Sequence, residues 1–423
     1  MIDFNIPKTS QQRIVIVGGG FAGLSLIRKL SKNPNFQIIL IDKNNYHQFQ
    51  PLFYQVAMAG LEPSSIVFPF RKLIQKTKNC YFRMASILSI DHHKQVIDTT
   101  IGSIDYDLLI LATGVDSNYF GNSDLEKNVI PMKSVSEALF LRNKILEDYE
   151  AALIETDFEK RQSLLDIVIV GGGPTGVEVA GALAEMKKYV LPKDYKELNE
   201  EQIDIYLLQG GNRILDGMSE TSSQKAENYL KNLGVKVCKG SYVSTFDGEK
   251  VTMKDGQTYT AKKVIWAAGI AGKKINGIPE NSYVRGNRLK TNEHHEIEGM
   301  PNCYAIGDIA SLQTESFPNG HPQVAQVAIQ MANNLANNIL NSKSNGFVYK
   351  DLGSMATIGR NAAVVDLKRM KLSGFLAWAM WLFVHLFSIL GLKNKLFVFI
   401  NWVWNYITYD QSLRLIIRPR KKD

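Results

Sequence analysis

Arg13-Ile14-Val15-Ile16-Val17-Gly18-Gly19-Gly20-Phe21-Ala22-Gly23 is a short β-branched run that stops at once in a glycine-rich turn. Residues 24–30 then read as a helix and 36–41 as a second strand, so the opening is a strand–helix–strand unit. The same pattern recurs further on. Residues 166–170 lead into Gly171-Gly172-Gly173-Pro174-Thr175-Gly176, a helix is expected from Val177, and 204–208 forms the next strand. A lone G-x-G-x-x-G is weak evidence, but here each copy follows a strand and opens a helix, the context that gives the motif its meaning. The fold expected is α/β, with two Rossmann-like dinucleotide-binding domains.

Each glycine in the motif has a physical task. The first allows a tight turn, the second lets a pyrophosphate approach the backbone, and the third lets helix and strand pack closely. The helix N-terminus adds N–H donors and the positive end of its dipole. An acid at the end of the second strand normally takes a ribose hydroxyl. Asp42, in Leu40-Ile41-Asp42-Lys43, occupies that place in the first unit, whereas Gln209 follows Ile205-Tyr206-Leu207-Leu208 in the second. An amide there does not repel a 2′-phosphate, so acceptance of NADPH beside NADH stays open; alternatively Gln209 donates to the ribose diol and little changes. Further strand-like runs end in small residues. Residues 107–111 enter Ala112-Thr113-Gly114, 263–267 enter Ala268-Gly269, and Cys303-Tyr304-Ala305-Ile306 enters Gly307-Asp308. A helix is expected over 324–340 and strands over 353–367.

The 423 residues are 45% hydrophobic and 21% charged, enough to fill packed cores and to exclude a disordered chain. Cys80, Cys238 and Cys303 are far apart in the chain and form no C-x-x-C, which argues against a disulfide scaffold, a cysteine zinc site or a local dithiol. No metal centre is expected: His92-His93 and His294-His295 lack companions at ligand spacing and read as exposed turn residues. The first ten residues hold no apolar run of signal-peptide length, so the protein is expected to stay in the compartment that makes it. Net charge is +8, and most of the excess lies in the tail. From 366 onward Lys368, Arg369, Lys371, Lys393, Lys395, Arg414, Arg418, Arg420, Lys421 and Lys422 face only Asp366, Asp410 and Asp423. Because these basic residues flank the most apolar stretch of the chain, they point to an anionic lipid surface and not to nucleic acid. Residues 373–392 contain no Lys, Arg, Asp or Glu. In the next run Asn394, Asn401, Asn405, Thr408 and Ser412 share one helical face, leaving Phe397, Phe399, Trp402, Trp404 and Tyr406 on the others, an amphipathic helix. Trp378, Trp381, Trp402 and Trp404 are expected as interfacial anchors.

Taken together these residues resemble the type II NADH dehydrogenases, single-chain FAD enzymes that reduce membrane quinones without pumping protons. The resemblance is carried by Asn45-Tyr46-His47-Gln48-Phe49-Gln50-Pro51-Leu52-Phe53-Tyr54-Gln55-Val56-Ala57, by Leu111-Ala112-Thr113-Gly114, by Ala305-Ile306-Gly307-Asp308, and by Ala325-Gln326-Val327-Ala328-Ile329-Gln330, which is similar to an A-Q-x-A-x-Q quinone-site motif. It runs from about Arg13 to the C-terminus and departs from the family at Gln209, where an acid is usual. It implies that Gly18, Gly20, Gly23, Asp42 and Asp308 hold FAD, and that Gly171, Gly173, Gly176 and Gln209 frame the nicotinamide cofactor. Phe21, Ala22, Lys43, Gln50, Ala112, Thr113, Gly114, Pro174, Thr175, Ala268, Gly269, Gly307, Val327 and Ala328 lie within or beside the same motifs and complete the candidate cofactor-binding set. It also places Glu178 near flavin and nicotinamide as a residue for proton delivery, against the simpler reading of an acid suited to a helix N-terminus. Gln326 and Gln330, at i and i+4, present two amides on one helical face to a quinone's carbonyls; taken alone, such a pair is usually solvated.

The implied domains are 1–116 and 291–352 for FAD, 117–290 for NAD(P)H, and a C-terminal membrane-association region, 353–423. Residues 373–392, at about 1.5 Å per residue, reach roughly 30 Å and just match a bilayer, whereas 396–409 are too short to cross. Because the related enzymes are monotopic, both segments are expected to lie in one leaflet on the cytoplasmic face, with a homodimer left open. Two rivals differ in chemistry: a sulfide:quinone oxidoreductase, which needs a cysteine pair, and a membrane-bound NAD(H) sensor, which needs no turnover. Gln209→Glu is expected to raise the NADH over NADPH ratio of kcat/KM, since a carboxylate repels a 2′-phosphate and gains roughly 1–3 kcal/mol on the ribose hydroxyls. An unchanged ratio would remove Gln209 from the ribose site.

Overall fold

A computed structural model describes residues 4–409 and 413–418; Ser412, Arg420, Lys421 and Lys422 lie outside the described residues. The chain divides into two compact units, 1–47 with 68–116 and 270–351, and 48–67 with 117–269 and 352–423. This differs from the expected division in two ways. The chain re-enters the first unit at 270 and not 291, and residues 48–67 belong to the second unit; the tail packs within that unit.

The first unit is built on five parallel strands in the order Cys303–Ala305, Leu108–Leu111, Gln12–Val17, Phe36–Asp42 and Cys80–Met84. Ile14, Val15, Ile16, Ile38, Ile39 and Leu40 are all buried, the continuous apolar run that a parallel sheet covered on both faces requires. Helices Phe21–Leu30 and Ala325–Asn341 pack on one another. The second unit repeats the plan, with strands ordered Ile130–Pro131, Lys263–Trp266, Ile167–Val170, Ile205–Gln209 and Lys236–Lys239, again all parallel. Its glycine-rich loop opens the helix Pro174–Tyr189.

The tail begins with an antiparallel sheet, Ser354–Gly359, Ala362–Leu367 and Met370–Ser373. This sheet packs on the helix Pro174–Tyr189. The approach is close enough that a Cβ on Gly181 would lie 1.7 Å from the Ile358 carbonyl oxygen. Asp366 fastens the sheet to the helix Glu220–Asn232 by accepting from the Ser219 amide and hydroxyl and from the Ser222 hydroxyl.

Two helices follow. The first, Phe375–Ser388, has 14 residues, about 21 Å of rise, because Ser373 is consumed by the sheet and the helix stops before Ile389. The expected 20-residue helix is therefore corrected, and no described helix is long and apolar enough to cross a membrane. The second, Leu392–Thr408, is amphipathic with its polar face turned inward. Asn394 donates to the Val67 carbonyl and Asn405 to the Gly60 carbonyl, while Val398 is buried between them. Leu396, Phe399, Ile400, Trp404 and Ile407 point outward and are exposed.

Trp402 joins the inner face, donating to Gln55, and Trp381 is 1% exposed. Of the four expected anchors, then, these two are structural, and Trp404 is the one well exposed. Trp378, half-buried, stacks on Tyr406. Arg360 closes the helix C-terminus: its guanidinium lies over the Tyr406 and Tyr409 rings and donates to the Tyr406 carbonyl, where a cation complements the helix dipole. Arg414 and Arg418 pair with Asp194 and Glu147, carboxylates of their own unit. His295 also departs from expectation. It is buried, with Nε2 3.0 Å from Asn334 Oδ1 and its ring against Phe347, and burial lowers its pKa to about 4.

Gly181→Ala is expected to lower unfolding stability by about 1–3 kcal/mol through overpacking against the Ile358 backbone. Urea titration checks this, and an unshifted midpoint would mean that the tail sheet does not sit on that helix.

Candidate functional site

In the first unit Gly18 has φ +103°, and a Cβ there would meet the Ala112 carbonyl oxygen at 2.2 Å. A Cβ on Gly23 would fall 1.9 Å from the Gly18 carbonyl oxygen, while one on Gly20 would meet nothing within 4 Å. Strand, turn and helix are thus locked at the outer glycines and left open at the middle one. The second unit reproduces this. Gly171 has φ +110°, its Cβ would lie 2.3 Å from the Ala267 carbonyl oxygen, a Cβ on Gly176 would lie 1.8 Å from the Gly171 carbonyl oxygen, and the space over Gly173 is open. Pro174 takes the first helical position, where its missing N–H costs nothing. Each loop therefore leaves the gap that a pyrophosphate fills.

Asp42 accepts from the Gly19 amide at 2.7 Å and from the Asn44 amide at 2.8 Å. Burial raises its pKa and outweighs those two donors. Gln209 copies the first of these bonds, its Oε1 accepting from the Gly172 amide at 2.8 Å, while its Nε2 donates to the Arg213 carbonyl. The amide thus holds the loop as the carboxylate does, without the charge. His47 was not singled out from the sequence. It is buried, and its Nδ1 lies 2.9 Å from the Gly19 carbonyl oxygen, so the ring carries its proton on Nδ1 and donates. Burial lowers its pKa, against the opposing influence of the Gly19 carbonyl. Phe70 fills the space under Gly19, where a Cβ would come within 2.2 Å of the ring.

The remaining candidates of the first unit gather on the same helix. Gly307, φ +75°, lies where a Cβ would touch Ala22 at 3.2 Å and Ala328 at 3.4 Å, so Gly307-Asp308, the first glycine helix and the Gln326 helix meet there. Thr113 lies beside Gly18. Val327 and Ala328 are buried in the core, and Gln326 is half-buried in the first turn. Lys43 and Gln50 are exposed. Gln330 is braced by Lys350: its Nε2 donates to the Lys350 carbonyl and its Oε1 accepts from the Lys350 amide, both at 2.9 Å, which fixes the amide and leaves its second N–H for another acceptor. In the second unit Gly269 packs against Phe120, and Ala268 lies against Gly171.

Glu178 points toward the tail. The residue keeps some exposed surface, but its carboxyl is enclosed, and burial pushes its pKa up to about 8 against the opposing influence of the Thr357 amide and the Trp381 indole. Thr357 N–H reaches Glu178 Oε1 at 3.5 Å, a long bond, and Trp381 Nε1 is buried with no hydrogen bond of ordinary length. At neutral pH the carboxyl therefore holds its proton. Tyr54 and His385 surround the same indole: the Tyr54 ring is 6.2 Å away, and His385 stacks on Trp381 at 3.9 Å. Tyr54 reaches this place on the short helix Phe53–Ala57, which packs on Glu178's helix, and His385 reaches it on the first tail helix, so both depend on partners distant in the chain.

The cysteines bear on the sulfide alternative. Cys80 and Cys303 stand on the two edge strands of one five-stranded sheet, four strand spacings or roughly 19 Å apart, and cannot pair. Cys238 belongs to the other unit's sheet.

Residues 12–332 match the model of the pyridine nucleotide-disulphide oxidoreductase family, and residues 352–408 match the NDH2 C-terminal domain. The chain is 33% identical over 419 residues to the type II NADH:quinone oxidoreductase Ndh of Mycobacterium tuberculosis, covering 94% of this chain and 89% of that protein. It is 32% identical to NdhA of the same organism, covering 93% and 86%. Among solved structures, that of NDH2 from Plasmodium falciparum in complex with NADH superposes with a TM-score of 0.87 at 22% identity, covering 96% of this chain and all of that one, which establishes a shared fold. With two glycine loops of one geometry, and with nearly its whole length aligned to these relatives, the chain belongs to the type II NADH:quinone oxidoreductases.

Proposed function

We propose that this protein oxidises NADH and passes the electrons through bound FAD to a membrane quinone, without pumping protons. The observation that carries the reading is the pair of matching glycine loops, each open at its middle glycine, in one chain. FAD, when bound, supplies a two-electron centre that takes a hydride and returns electrons to a quinone. The first loop with Asp42, Gly307 and Asp308 would hold it; the second loop with Gln209 would hold the nicotinamide nucleotide, NADPH included. His47 and Asp42 keep the first loop in its binding shape by engaging both the carbonyl and the amide of Gly19. Gln326 offers an amide for a quinone carbonyl. Glu178 holds a proton near neutrality on a carboxyl shielded from water, a suitable store for one of the two protons that quinone reduction consumes. A sensor would have no use for such a carboxyl.

The tail supports peripheral attachment. Its outward face is apolar, with Leu376 68% and Leu392 84% exposed, and Lys368, Arg369, Lys371 and Lys393 lie exposed beside it. An anionic bilayer on the cytoplasmic side suits that combination of apolar surface and positive charge.

Purified protein is expected to be yellow with about one non-covalent FAD per chain, to bleach on mixing with NADH, and to recover colour on adding quinone; folded protein that takes up no FAD would end this reading. Gln326→Leu is expected to slow flavin reoxidation by quinone while leaving flavin reduction by NADH nearly intact in stopped flow. Equal loss in both halves would put Gln326 in packing or nucleotide binding. For Glu178 the protonated form is the competent one, so quinone reduction should fall as pH rises through about 8. In Glu178→Gln that limb should vanish at a lower overall rate, and a limb that persists would assign it to another group.

A further inference from the structure

We propose that Tyr54 presents a hydrogen-bond donor to a quinone carbonyl, with its polarity set through Gln55 by Trp402 of the second tail helix; the assignment rests on the quinone reading above. The Trp402 indole can only donate. Trp402 Nε1 lies 2.7 Å from Gln55 Oε1, so that end of the amide is the oxygen and the other end is the NH2 group. Gln55 Nε2 lies 2.8 Å from the Tyr54 hydroxyl, whose oxygen must therefore accept. A flipped amide would set two donors against each other at Trp402. The Tyr54 proton is consequently turned away from Gln55, and among the described residues it has no acceptor of its own.

The surroundings suit a fixed donor. Tyr54 is buried on the short helix Phe53–Ala57, which packs on the helix Pro174–Tyr189 that carries Glu178. Burial, with the Glu178 and Glu185 carboxyls nearby, drives its pKa well above the usual phenol range, so the hydroxyl keeps its proton and orients substrate without releasing it. Its ring rests against Trp381, which in turn stacks on His385. Trp402 cannot easily swing away, because Asn394 and Asn405 on the same helix face hold the carbonyls of Val67 and Gly60. A quinone carbonyl is an acceptor with no proton of its own, so a donor held in this direction is the partner it needs.

The test uses the full-length enzyme bound to phosphatidylglycerol vesicles, with a short-tailed ubiquinone as acceptor. Tyr54→Phe removes the donor and is expected to raise the quinone KM about fivefold, with flavin reduction by NADH within about twofold of wild type. Trp402→Phe keeps the ring and loses the N–H; it should raise KM in the same direction by less. The double variant should be no worse than Tyr54→Phe alone, because both act through one hydroxyl. Gln55→Met cuts the same link with the tail sequence unchanged and should reproduce Trp402→Phe, including where the latter binds vesicles poorly. Additive effects of Tyr54→Phe and Trp402→Phe, or an unchanged KM in Tyr54→Phe, would overturn the proposal. Wild-type enzyme that bleaches with NADH but is reoxidised by no quinone would instead overturn the functional reading beneath it.

Discussion

The contact on which both nucleotide loops depend is the fit of a helix's first turn onto the carbonyl that ends a strand. Gly23 sits on Gly18 and Gly176 on Gly171 so closely that a single methyl would stand within 2 Å of oxygen. That closeness aims the helix N-terminus, with its free N–H groups, into the gap above the middle glycine. The residue at the end of the second strand then holds the loop amide, a carboxylate in one unit and an amide in the other. One geometry thus serves twice, and the two copies differ mainly in charge.

The second unit adds a device that the first lacks. Its glycine helix carries Gly181 on a buried face, and the absent side chain lets the tail sheet press directly onto the helix backbone. Docking of the tail encloses the Glu178 and Glu185 carboxyls, and desolvation raises the pKa of both. A carboxyl that would be ionised in water, on the fifth residue of its helix, becomes a proton holder. The tail is therefore part of the chemistry of the unit and not an appendage to it.

The tail helices also show why amphipathicity alone does not say which face meets which solvent. Polar residues at helical spacing usually face water, but here Asn394 and Asn405 face protein and satisfy backbone carbonyls. Those bonds cost little to bury because every partner is matched. The outward face is then free to be almost wholly apolar, which suits a lipid boundary better than an aqueous one.

How much of this was legible in the chain follows from the range of each interaction. The two fingerprints, the strands around them and the helix over Gln326 were readable because their signals are local: β-branched runs, glycines at fixed spacing, and caps within a few residues. The inward turn of the asparagine face, the burial of Trp381 and His295, the bracing of Gln330 by Lys350 and the raised pKa of Glu178 were not, since each depends on a partner far along the chain. The first tail helix looked long enough to span a bilayer because its apolar run continues past Ser388, through the turn at 389–391, to Leu392 of the next helix, and hydropathy does not distinguish helix from turn. Sequence alone determined that this protein carries two nucleotide loops and an apolar, basic tail. Only the tertiary structure decided which side of the tail is protein and what it does to the acid beneath it, because burial and hydrogen-bond direction are properties of what is packed alongside and not of the residue itself.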